Sequence, residues 1–105
     1  MSQNKPNQPD YDLGVDVEDQ LEEPKLYKVL LLNDDYTPMD FVTFVLRRFF
    51  GRSDAEAQKI MLDVHNKGSG LAGLYSYEVA EGKVSQVNQF SKNNQYPLKT
   101  ILEEE

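Results

Sequence analysis

The stretch Leu26-Tyr27-Lys28-Val29-Leu30-Leu31-Leu32-Asn33-Asp34-Asp35-Tyr36-Thr37-Pro38-Met39-Asp40-Phe41-Val42 reads as a strand, a turn and the start of a helix. The apolar run is short and bounded by a turn, which suits a strand buried on at least one face. Asn33, Asp34 and Asp35 break the run, because Asn and Asp side chains bond nearby backbone and favour turns. Thr37 is a capping residue type and Pro38 suits the first helical position. Phe41, Val42, Val45, Leu46 and Phe49 then recur at helical spacing. Arg47 and Arg48 sit where cations favour the C-terminal pole of a helix, and Gly51 stops it.

Working outward from there, Ser53-Asp54-Ala55-Glu56 matches a capping box, in which the Ser hydroxyl and the Glu carboxylate each satisfy a free backbone N–H. Ala57, Ile60, Met61 and Val64 form one stripe, and Lys67-Gly68 ends this second helix. The link between the two helices is very short, so they are expected to form an antiparallel hairpin. A glycine-rich stretch, Gly68 to Gly73, leads into a second strand expected around residues 70–77. Its glycines allow close backbone approach. A third helix is expected from Glu78 to Asn93-Asn94, with Ala80, Val84 and Val87 on one face. Pro97 punctuates, and Leu98 to Glu103 reads as a last strand. The order β-α-α-β-α-β predicts an α+β fold, with three helices packed on a three-stranded, mostly antiparallel sheet.

The chain has 105 residues, the length of one domain with a modest core. Residues 1–24 hold Pro6, Pro9 and Pro24 and few apolar groups, so they read as a flexible acidic extension to a core domain at 25–105. Up to residue 25, seven acids (Asp10, Asp12, Asp16, Glu18, Asp19, Glu22 and Glu23) face Lys5 and Lys25. That is −5 of the net −7, and the remainder is nearly balanced. Such a charge disfavours binding nucleic acid through its phosphates. The absence of cysteine removes disulfides, thiolate metal sites and cysteine nucleophiles, and fits a reducing cytoplasm. No apolar run approaches the ~20 residues of a membrane span, and the polar N-terminus lacks a signal core.

Candidate chemistry is sparse. His65 is the sole histidine, with no nucleophile motif to serve as a general base and no second histidine or cysteine to share a zinc ion. Gly68-Ser69-Gly70 lacks the lysine and spacing of a phosphate loop. The turn at Asn33-Asp34-Asp35 offers several acceptor oxygens in a row. A carboxylate cluster beside an apolar wall suits an ammonium ion, since charge-assisted hydrogen bonds are the stronger kind. Calcium ranks lower, because the further oxygen ligands and the glycine of an EF-hand loop are missing. Met39 begins the first helix and Met61 can face it across the hairpin, giving an adaptable apolar cup with a polar mouth.

Tyr27 to Val42, then Met61-Leu62-Asp63-Val64-His65, then Gly73-Leu74-Tyr75-Ser76-Tyr77-Glu78-Val79-Ala80-Glu81-Gly82-Lys83-Val84, together resemble the ClpS family over residues 26–103. The resemblance implies a non-enzymatic, cytoplasmic adaptor for an ATP-dependent Clp protease, without cofactor or metal. Such adaptors recognise proteins whose first residue is Leu, Phe, Tyr or Trp and deliver them to the N-terminal domain of a ClpA- or ClpC-type unfoldase. By that resemblance Asn33, Asp34, Asp35 and His65 hold the substrate's α-amino group and first backbone groups. Thr37, Met39, Val42, Met61, Val64 and Leu98 line the side-chain pocket, with Met39 a gate against β-branched residues. Glu78 and Lys83 match the family's unfoldase-docking face. Two rival readings are a metal-dependent hydrolase using Asp34, Asp35 and His65, and a protein-interaction domain shaped like the C-terminal domain of the ribosomal stalk protein.

Overall fold

Val29 and Leu31 are fully buried while their neighbours Lys28, Leu30 and Leu32 are only partly so, which is the alternation of a strand packed on one face. This strand, β1 (Tyr27–Leu32), is the middle of a three-stranded sheet in the computed structural model, which describes residues 24–105. The expected flexible extension lies outside the described residues, apart from Pro24. β2 (Ser69–Tyr75) and β3 (Lys99–Glu104) flank β1, and both pair with it antiparallel. In the β1–β2 register, Val29 faces Gly73 and Leu30 faces Leu71. Ala72 is therefore a bulge residue with no ladder partner. Arg52 supplies one: its Nε and Nη2 donate to the Ala72 carbonyl at 2.9 and 2.7 Å.

Helices α1 (Met39–Phe50), α2 (Asp54–Lys67) and α3 (Tyr77–Asn93) complete the β-α-α-β-α-β order expected from the sequence. Gly51 and Gly68 end α1 and α2 in the left-handed conformation, at φ 63° and 93°. The capping box at Ser53 forms in both directions, with Glu56 N–H donating to Ser53 Oγ at 3.2 Å and Ser53 N–H to Glu56 Oε1 at 3.0 Å. Gly70 is a packing requirement. A Cβ there would lie 2.7 Å from Val64 Cγ2 and 2.9 Å from the Ile60 carbonyl, so only glycine lets β2 lie this close to α2.

The ring of Phe90 on α3 packs against Phe41, Phe44 and Phe49 of α1, with centroids 5.5, 5.9 and 5.1 Å away. Lys83 on α3 donates its ammonium to the Phe49 carbonyl at 2.7 Å, near the end of α1. The Asn88 side chain bonds both backbone groups of Thr100 on β3, at 2.9 and 3.1 Å.

Several boundaries differ from expectation. β2 ends at Tyr75 and α3 begins at Tyr77, because Ser76 takes the extended cap position and its carbonyl accepts the first helical bond, from Ala80. β3 begins at Lys99 and not at Leu98. Pro38 occupies the cap of α1 and not its first turn.

Candidate functional site

β1 aims the chain out of the sheet at Asn33, whose N–H donates to the Gly68 carbonyl at the end of α2 at 3.0 Å. The turn is thereby tied to both β1 and α2. Asp34 then shapes it from within. Its Oδ1 accepts the N–H groups of Tyr36 and Thr37 at 2.8 and 2.7 Å, and its Oδ2 accepts the Thr37 hydroxyl at 2.8 Å. Partial burial pushes the Asp34 carboxyl up, but bonds from the Tyr36 N–H, the Thr37 hydroxyl and the Thr37 N–H outweigh it and hold it below its ordinary value. Thr37 was expected to cap α1. Its hydroxyl bonds Asp34 instead, and α1 has no side-chain cap.

Asp34 therefore has most of its acceptor capacity committed to its own loop. A carboxylate offers about four lone-pair sites, so one remains, on Oδ2. Asp35 and the Asn33 side chain are exposed, as is His65 on the last turn of α2. Among the described residues none of these three side chains makes a hydrogen bond.

The turn and the two helices enclose a cavity of about 400 Å³. Its polar side is Asn33, Asp34, Asp35 and His65. Its apolar side is Met39, Val42, Met61 and Val64, with Thr37 between the two. The helical spacing explains the convergence. Met39 and Val42 share a face of α1, while Met61, Val64 and His65 share a face of α2. Val42, Met61 and Val64 are buried at 6, 7 and 3 % exposure, whereas Met39 at the mouth is 47 % exposed. Tyr36 and Pro38 also line the cavity, the first of them 79 % exposed. Sequence reasoning left both aside, although their place between Asp35 and Met39 was the available signal.

Leu98, expected on the pocket wall, is not among the residues lining the cavity. It is 4 % exposed and belongs to the main core. Glu78 is exposed on the first turn of α3, at the opposite end of the sheet, where Tyr77 meets Tyr27 edge-on at 5.2 Å. Lys83, besides its bond to Phe49, lies over the rings of Phe50 and Tyr75 at 5.9 and 5.8 Å. Its charge is thus partly engaged inside the fold.

Among the described residues no three His, Cys, Asp or Glu side chains come together in a group that could hold a metal ion. No helix among them is long and apolar enough to cross a membrane.

Comparison with known proteins agrees with this geometry. The family model described as "ATP-dependent Clp protease adaptor protein ClpS" matches residues 22–101. A ClpS adapter protein of Bdellovibrio bacteriovorus is 62 % identical over 97 residues, covering 92 % of this chain and 85 % of that protein. One from Hyphomonas neptunium is 53 % identical over 95 residues, covering 90 % of this chain and 80 % of that protein. Among solved structures, Agrobacterium tumefaciens ClpS2 bound to L-phenylalaninamide superposes with a TM-score of 0.76 at 40 % identity, covering 79 % of this chain and all of that one. The chain belongs to the ClpS family of ATP-dependent Clp protease adaptor proteins, which are adaptors and not enzymes.

Proposed function

We propose that the chain captures proteins by a free α-amino group together with a bulky hydrophobic first residue, Leu, Phe, Tyr or Trp. It then presents them to the N-terminal domain of a ClpA- or ClpC-type unfoldase in the cytoplasm. The observation that carries this reading is the cavity itself, where uncommitted polar groups of Asn33, Asp35 and His65 meet an apolar wall of Val42, Met61 and Val64. The ammonium brings three donors to acceptors on Asn33, Asp35 and the spare lone pair of Asp34. His65 serves the first backbone groups. The side chain enters the apolar half, with Met39 turning away β-branched shapes at the mouth.

The physics makes the two halves interdependent. An α-amino group has a pKa of roughly 8 and is mostly charged at neutral pH. Burying a large apolar side chain stabilises by roughly 1.5–3 kcal/mol, and each buried polar group left unpaired costs about 1–3 kcal/mol. An internal leucine supplies the first without relieving the second. The ligand of the A. tumefaciens relative, L-phenylalaninamide, combines a free amine with an aromatic side chain and supports the same pairing here. Glu78 and Lys83 are assigned to unfoldase docking, away from the cavity, so both partners fit on the molecule together.

The test is a titration with a peptide beginning with Leu or Phe and with its N-acetylated twin. Tight binding of the first and its loss in the second are expected. Equal affinity for both would remove the reading.

A further inference from the structure

The chain has no cysteine, so its sulfur is confined to Met1, Met39 and Met61. Met39 and Met61 both line the cavity, yet solvent meets them very differently. Met39, at the start of α1, is 47 % exposed, whereas Met61, within α2, is 7 % exposed and belongs to the core. A peroxide must touch the sulfur that it oxidises, so attack follows exposure. In this molecule it meets no thiol that would take it first, and of the two cavity sulfurs it reaches that of Met39.

The reaction is a transfer of one oxygen atom. A lone pair of the sulfur attacks a peroxide oxygen, the O–O bond breaks, and the departing hydroxide takes the proton of the transferred group and leaves as water. The sulfur is oxidised by two electrons to a sulfoxide, and the peroxide is reduced. Methionine sulfoxide reductases reverse the change. The product is polar and chiral where the thioether was an apolar, pliable surface.

We propose that Met39 is a reversible oxidation site, through which a small peroxide switches off the capture of clients. The inference rests on the reading of the cavity as a first-residue pocket with Met39 at its mouth. A Leu or Phe side chain entering there covers Met39 and strips water from it. Val42, Met61 and Val64 have no donor to replace that water. The hydroxyl protons of Thr37 and Thr43 are already given, to Asp34 at 2.8 Å and to the Asp40 carbonyl at 3.1 Å. A sulfoxide that turns outward to stay hydrated takes an apolar wall away instead. In either position the client's first side chain is held less well. The linkage is reciprocal, so a seated client shields the sulfur.

The test treats the full chain with hydrogen peroxide, maps the added oxygen by mass spectrometry and titrates with a sulfur-free peptide beginning with Leu. Met39 should oxidise well before Met61. The chain oxidised at Met39 should bind the peptide about 10-fold more weakly, the scale of one polar group buried without a partner. A methionine sulfoxide reductase should restore the binding. In Met39→Leu the same treatment should leave the affinity at that variant's own starting value. Peptide present at about ten times its dissociation constant should slow the oxidation of Met39 about 10-fold, since mass action leaves about a tenth of the cavities empty. Earlier oxidation of Met61, or undiminished affinity in a chain oxidised at Met39, overturns the switch alone. An equal loss in treated Met39→Leu overturns it too, since the damage then lies elsewhere. Failure of the untreated chain to bind the peptide overturns the switch together with the reading it rests on.

Discussion

The Asp34 carboxylate accepts three hydrogen bonds from its own turn, while its neighbour Asp35 accepts none among the described residues. The two acids should therefore fail differently. Asp34→Ala removes the scaffold of the turn and should cost about 1–2 kcal/mol of stability along with binding. Asp35→Ala should leave the melting temperature unchanged and weaken a Leu-initiated peptide about 10-fold or more, the scale of a lost charge-assisted bond. Calorimetric titration beside a thermal melt separates the two cases. The pH dependence follows from the same residue. The folded Asp34 carboxyl lies below its ordinary value, so its contribution is fully present above the unfolded pKa of about 3.9 and is lost as pH falls through the folded one. Peptide binding should fade on that acid side, and Asp34→Asn, which cannot titrate, should lack that part of the loss. On the basic side binding should decline above about pH 8, as the peptide's amine loses its proton.

At the level of elements, β2 lies against α2 too closely at Gly70 to admit a side chain. Gly70→Ala would push its methyl against Val64 Cγ2 and against the Ile60 carbonyl, which is backbone and cannot swing away. A loss of about 1–3 kcal/mol in denaturant unfolding is expected. Because Val64 also walls the cavity, peptide affinity should fall with it. Elements such as these show what a sequence can disclose. The capping box at Ser53, the apolar stripe of α2 and the glycine stops are local, and they stand where their residues imply. The cavity was legible in most of its lining because Met39 and Val42, and likewise Met61, Val64 and His65, are fixed by helical spacing alone. What was not legible depends on distant partners. The Ala72 bulge is completed by Arg52, twenty residues earlier, and Leu98 was drawn into the core by packing that no local pattern announces. Thr37 does not cap because the helix starts one residue later than expected: Pro38 holds the cap position, and Thr37, outside it, donates its hydroxyl to Asp34.

Across the whole molecule, the sheet separates two regions. The cavity sits beyond the C-terminal end of β1. The start of β1, with Lys25 paired to Glu104 at 2.8 Å, meets the first turn of α3 at the other end. β3 is an outer strand, and at Thr100 its free backbone groups are both taken by Asn88. Asn88 thus behaves as one rung of a missing neighbour strand. Without it a strand edge would stand open to other chains. Asn88→Ala should increase self-association at high concentration while leaving peptide affinity intact, as sedimentation velocity would show. The same plug bears on how a captured protein is let go. An edge that welcomed extended chain would zip a client down its length and hold it at many points. On the proposed function, the rung that Asn88 occupies at Thr100 is denied to a client's extended chain, so the hold is expected to stay a single clasp at the client's first residue, with the remainder trailing loose.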